Sequence, residues 1–267
     1  MGFYEKAMLG LPGRDEQIEN YQTTIRNMGK AGIPVLGYHW MPNGVWRTPM
    51  AQGRGGVTVT AYDGKLIDQP LVAGRQVIPG FEGRTLDAAA LWENYRYFTS
   101  AVLPVAEEAG VRLALHPDDP PVPELGGIAR LFYHFEGFRK AMEEVAPSPN
   151  HGLDFCMGCF SEMYYADKDI NQSVLDAFRY FGERGKLFYV HFRDVQGSVP
   201  DFQECFLGEG NMDVVTAIKT LKDVNFDGFL IDDHVPRIID DSAWNHRGHA
   251  HATGYILGLV EAVTRLG

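Results

Sequence analysis

Histidine, cysteine and aspartate recur in this chain at the ends of short apolar runs. His116 closes LALH ahead of PDDPP, Cys156 closes GLDFC, His191 follows KLFYV, and Asp233 with His234 follows DGFLID. His39 ends IPVLGYH in the same way. Imidazole, thiolate and carboxylate are the groups that bind divalent metals, and imidazole also moves protons near neutral pH. Each residue alone has an ordinary alternative. His116 fits a core histidine equally well, Cys156 a small buried hydrophobe, His191 an aromatic packed between Val190 and Phe192, and Asp233 a loop carboxylate beside Asp232. Taken together at successive strand ends, His116, Cys156, His191 and Asp233 have the composition of a metal site. By donor softness alone a thiolate in such a set selects Zn²⁺ or Fe²⁺.

These residues need elements to bring them to one place. Ile18, Tyr21, Ile25 and Met28 recur at helical spacing, so residues 14–31 read as a helix. Leu91, Tyr95, Phe98 and Val102 mark a second helix over 86–109, and further helices are expected at 128–145, 170–184, 212–224 and 249–266. Short apolar runs over 33–39, 111–116, 151–159, 186–195 and 227–235 read as strands. Strand followed by helix, repeated, predicts a parallel sheet of (β/α) TIM-barrel type, in which reactive groups collect at the carboxyl ends of the strands. Only about five of the eight strands of a barrel are evident. Residues 48–85, rich in Gly, Thr and Pro, read as a long loop excursion within a single domain spanning 1–267. The prolines after His116 fix φ and stiffen the exit from that strand, and Asp118 or Asp119 is placed to support the imidazole.

Composition narrows the function. With 24 basic and 35 acidic residues the net charge is −11, which argues against a nucleic-acid partner. No apolar run is long enough for a membrane span, and no signal peptide is evident. The odd cysteine count, 3, does not suggest a disulfide framework; Cys159 and Cys205 read as structural, and the chain is expected in a reducing cytoplasm. An anionic substrate would need local arginines against the acidic background, and Arg47, Arg193, Arg237 and Arg247 are the candidates. No GxGxxG opens a helix after a strand, so dinucleotide binding has little support.

The segments LGLPGRDEQIENYQTTIRNMGKAGI, LALHPDDPP, GLDFCMG, VHFRDV and DDHVPR resemble, in order, the motifs of the mannonate dehydratase family of hexuronate breakdown. The likeness runs from about Met8 to the C-terminus. It implies a (β/α)8 barrel that dehydrates D-mannonate to 2-keto-3-deoxy-D-gluconate with a divalent metal, usually Mn²⁺, with Fe²⁺ as second choice. By motif the ligands would be His116, Cys156, His191 and Asp233, with His234 as catalytic acid/base. Arg237, three residues after His234, is the candidate to hold the substrate carboxylate, with an ordinary surface or loop arginine as the alternative reading, and His39 and Arg47 would line the same mouth. Two departures stand out. The chain begins almost at the LGLPGRD helix, without the family's earlier strands. The family's tyrosine before the last helix falls in RGHAHATGY, at Ala250 or a flanking His249 or His251, with Tyr255 one turn on. A homo-oligomer acting on a sugar acid is expected. The alternatives are a metal-dependent sugar isomerase or epimerase on the same barrel, and a non-catalytic truncated homologue.

Overall fold

The computed structural model describes residues 3–74, 78–166 and 168–266. The chain forms two compact units, Met1–Val45 with Gly74–Asp154, and Trp46–Ala73 with Phe155–Gly267.

In the first unit, helices α1 (Glu5–Leu9) and α2 (Arg14–Lys30) precede strand β1 (Val35–His39). Helix α3 (Ala88–Ala109) then leads to β2 (Arg112–His116), and α4 (Phe135–Lys140) precedes β3 (His151–Cys156), inside which the boundary between the units falls. The three strands are parallel, with Val35 opposite Arg112, His39 opposite His116, and Leu113 opposite His151. The reason α3 forms is local. Asp87 caps it by accepting from the Ala90 N–H, and Gly110 ends it at φ 66°, a left-handed turn that glycine adopts without strain. The predicted stripe of Leu91, Tyr95, Phe98 and Val102 is fully buried. Phe98 meets Tyr4, Tyr21 and Trp40 at centroid distances of 5.5, 5.1 and 5.1 Å, an aromatic cluster that locks α2 and α3 together.

The expected helix over 128–145 is corrected. Ile128–Ala129 instead pairs antiparallel with Glu124–Leu125 across Gly126 and Gly127, both at positive φ. Helix starts only at Phe135, where the His134 Nδ1 accepts from the Gly137 N–H, and it widens into a π turn over Ala141–Val145. The glycine pair makes a hairpin turn that no apolar periodicity can override.

In the second unit, α5 (Met157–Glu162), α6 (Ile170–Gly182), β4 (Leu187–His191), α7 (Val214–Asp223), β5 (Phe229–Ile231) and α8 (His246–Leu266) follow β3. β4 and β5 are parallel, with Ile231 opposite His191. The apolar run over 186–195 ends sooner than expected, because Asp194–Ser198 turns away into an antiparallel hairpin with Asp201–Cys205. Part of the 48–85 excursion is strand. Ala51–Gln52 pairs with Thr58–Val59, and Ala61–Asp63 pairs antiparallel with Asp201–Gln203, adding a third strand to the Asp194–Cys205 hairpin. Asp194 organises the connection to α7: its carboxylate accepts from the N–H groups of Val195, Gly208, Gly210 and Met212 at 3.0, 3.2, 2.9 and 3.2 Å.

Candidate metal and acid–base site

Parallel β4 and β5 end side by side, so the residues at their carboxyl ends meet. The His191 Nδ1 is 3.6 Å from Asp233 Oδ2, and His234 Nε2 is 3.7 Å from the same oxygen. Cys156, the last residue of β3, offers its Sγ within 4.8 Å of a His191 ring nitrogen. Two imidazoles, a sulfur and a carboxylate therefore share one end of this unit. Burial alone would raise the Asp233 carboxyl, but the neighbouring His191 and His234 imidazoles and the Arg193 guanidinium outweigh it. They hold the group well below the usual carboxylate range. It stays ionised at any physiological pH.

His234 stands in the left-handed region at φ 47°, a conformation uncommon for a residue bearing a Cβ. Its Nδ1 lies 3.4 Å from Thr60 Oγ1 and 3.8 Å from Glu204 Oε1, so the ring is oriented from that side.

Beneath these groups runs a buried network with Arg193 at its centre. Its Nε is 3.2 Å from Cys156 Sγ and 3.2 Å from Asp233 Oδ2. Its Nη1 donates to Glu162 Oε1 at 2.8 Å and to Glu204, and Nη2 donates to Cys159 Sγ at 3.1 Å. Burial would lower the Arg193 pKa, yet the surrounding sulfurs and carboxylates push it well above its ordinary value, so it stays charged. Gly158 makes room for this. A Cβ there would sit 2.6 Å from Arg193 Cζ.

The other expected positions are distributed as follows. In the first unit, His116 and His39 are register partners at the ends of β2 and β1. The His116 Nδ1 faces the Pro117 carbonyl at 2.7 Å, which requires the proton on Nδ1 and leaves the Nε2 lone pair of the neutral ring as the donor. His39 Nδ1 accepts from the Met41 N–H at 3.2 Å; burial first, then His116 and Arg130, bring its pKa down to about 4. Asp118 accepts from Arg130 at 3.4 Å and from the Phe132 N–H at 2.6 Å, contacts that stiffen the loop after β2.

In the second unit, Arg47 is buried and ion-paired to Glu204 at 3.5 Å, and its backbone bonds to Ala73. Arg237 is exposed, and its backbone forms a two-way bridge with Thr58. Arg247 is exposed and donates to the Ile239 carbonyl at 3.2 Å. Where the tyrosine was sought, His249 bonds Asp232 at 2.9 Å, while Tyr255 stacks near His251.

Sequence reasoning missed Glu162. Its signal was present but faint: Cys159 and Glu162 are three apart on a short helix and share the face turned to Arg193.

The family model described as D-mannonate dehydratase (UxuA) matches residues 2–266. The chain belongs to this family. Mannonate dehydratase of Thermotoga petrophila is 32% identical, across 98% of this chain and 79% of that protein. The crystal structure of mannonate dehydratase from Streptococcus suis serotype2 superposes with a TM-score of 0.84 at 32% identity, covering 98% of this chain and 75% of that one. The fold class is thus the TIM-barrel type expected. An L-ribulose 3-epimerase, at TM-score 0.55 and 19% identity, shares the fold alone. No described helix of this dehydratase-family chain is long and apolar enough to cross a membrane.

Proposed function

We propose that the protein dehydrates D-mannonate to 2-keto-3-deoxy-D-gluconate, with a divalent metal held by His116, Cys156, His191 and Asp233 and with His234 as acid/base. The observation that carries this is the shared end of β4 and β5, where a carboxylate kept ionised lies within 4 Å of two imidazoles, in a chain of this family. The donor set fits a divalent ion. Around Arg193, the carboxylates of Glu162, Glu204 and Asp233 outnumber the guanidiniums of Arg47 and Arg193, and a ligating thiolate adds further negative charge. A bound cation balances that excess. Mn²⁺ is our choice of ion, with Fe²⁺ second; the thiolate is the donor that pulls toward softer metals.

When bound, the metal supplies Lewis-acid stabilisation of the charge that develops as the proton leaves C2 beside the substrate carboxylate. The protein's residues do the rest. The reaction breaks the C2–H bond and the C3–O bond. One proton and the C3 hydroxyl leave as water, and the resulting enol becomes the 2-keto acid. His234 is the group that carries a proton to or from these positions, because its ring is fixed by Thr60 and Glu204 and its Nε2 faces the Asp233 side. Asp233 orients that imidazole and stabilises its charged form. Arg237, His39 and Arg47 are the side chains assigned to the substrate. Arg237 has the exposure for it, whereas the buried Arg47 acts through Glu204.

The assignment includes a homo-oligomer, for which the exposed Phe229, Ile231 and Leu257 of the second unit offer apolar surface. It also includes a reducing cytoplasm, in keeping with three buried free thiols.

Metal-replete protein is incubated with D-mannonate, and product is measured as a 2-keto-3-deoxy acid lighter than substrate by one water. His234→Asn should lose turnover by about 100-fold or more while keeping its melting temperature. No keto-deoxy acid from folded, metal-replete wild type, or full turnover in His234→Asn, overturns the assignment.

A further inference from the structure

We infer that Arg193 is a positioning residue that decides which divalent ion the Cys156, His191 and Asp233 donors prefer; this rests on the metal assignment above. Its single Nε–H lies 3.2 Å from both Cys156 Sγ and Asp233 Oδ2, between two of the side chains assigned as ligands. The Cys159 N–H adds another contact to Cys156 Sγ at 3.4 Å. Hydrogen bonds to a ligating sulfur draw electron density from it and weaken it as a soft donor. A sulfur so restrained discriminates less in favour of Zn²⁺ over harder ions. The same N–H fixes where the Asp233 carboxylate stands relative to His191.

The guanidinium is built in rather than poised for a substrate. It is 3% exposed, and Glu162, Glu204 and Cys159 hold its far side. That burial sets it apart from the exposed Arg237 as a clamp for an anionic substrate. A lysine would keep the charge but not the planar fork, so it could not bond Glu162 while also presenting an N–H between sulfur and carboxylate.

The test titrates wild type, Arg193→Lys and Glu162→Gln with Mn²⁺ alone and with Zn²⁺ alone by calorimetry. In parallel, Co²⁺ is added and its sulfur-to-metal charge-transfer band is recorded. Arg193→Lys should lose about 10- to 100-fold in Mn²⁺ affinity, the range for removing a group that supports a ligand. Its Zn²⁺ affinity should fall by much less, and the Co²⁺ band should shift because the sulfur has lost its hydrogen bond. Glu162→Gln is nearly isosteric and loosens the hold on Arg193 without removing its Nε–H, which makes it the milder second variant; it should move Mn²⁺/Zn²⁺ preference in the same direction and by less. Equal weakening of both ions, or no change of preference in the folded variants, overturns this inference while leaving the metal assignment standing. A wild type that binds neither ion overturns both.

Discussion

Replacing Gly158 by alanine puts the Arg193 network to a test that needs no charge to be removed. The added Cβ would lie 2.6 Å from Arg193 Cζ and 2.7 Å from its Cγ and Nε. Carbon atoms pack at about 3.5 Å or more, so the guanidinium must retreat by about 1 Å. It has nowhere easy to go, because Glu162 and Glu204 hold it in a buried space. Overpacking of this kind costs about 1 to 3 kcal/mol, and the helical gain of alanine over glycine offsets about 1 of that. A net loss of up to about 2 kcal/mol is expected in urea denaturation. The larger effect falls on chemistry. A shift of about 1 Å at Nε carries Cys156 and Asp233 out of line, and kcat on D-mannonate at saturating metal should fall about 10- to 100-fold. Gly254→Ala on α8 is the control. Among the described residues, nothing beyond its chain neighbours and its own helix backbone lies within 4 Å of the position of its Cβ, so helix propensity alone should raise stability by about 0.5 to 1 kcal/mol with kcat unchanged. If Gly158→Ala behaves like Gly254→Ala, the reasoning about Arg193 is refuted.

Other consequences are as direct. Saturating the wild type with Mn²⁺ at a hundred times its Kd should add about 2.7 kcal/mol of stability, removable by a chelator, and Cys156→Ala should gain far less; thermal melts with and without metal read this. Burial raises the Asp194 carboxyl to about 6 against the backbone N–H groups that favour its charge. A native pKa above the unfolded value means stability is fullest below about pH 4 and is lost as pH rises through 6. The stability of wild type relative to Asp194→Asn should therefore grow by about 1 kcal/mol from pH 7 to pH 5, and a flat difference would count against the assignment of that carboxyl. In the first unit, the Tyr38 and Tyr95 hydroxyls lie 2.8 and 3.0 Å from the His151 Nε2, whose ring is anchored at Nδ1 by the Ala146 carbonyl. Tyr95→Phe should cost about 1 to 2 kcal/mol in denaturation with turnover intact.

Much of this protein was legible in one dimension because period and punctuation are local properties. The stripe of Leu91, Tyr95, Phe98 and Val102 defined α3, and the apolar runs ending in His39, His116, Cys156 and His191 defined strands with reactive groups at their ends. The hairpin at Gly126 and Gly127 defeated the same reasoning, because two glycines at positive φ set the chain direction against the apolar spacing around them. Asp233 and His234 could be named from their place after a strand, but not their partners. That His191 faces Asp233 follows from the parallel register of Ile231 with His191. That Glu162 and Arg193, 31 residues apart, share a hydrogen bond depends on a short helix turning back beneath the strand end over a glycine. That Arg47 lies buried against Glu204, 157 residues away, is likewise a matter of packing. The sequence by itself determined which groups could do chemistry and which elements carry them, since residue type and spacing act within a few positions. Only the tertiary structure decided which arginine braces the site and which stands open to solvent, because burial and charge pairing are set by residues distant in the chain.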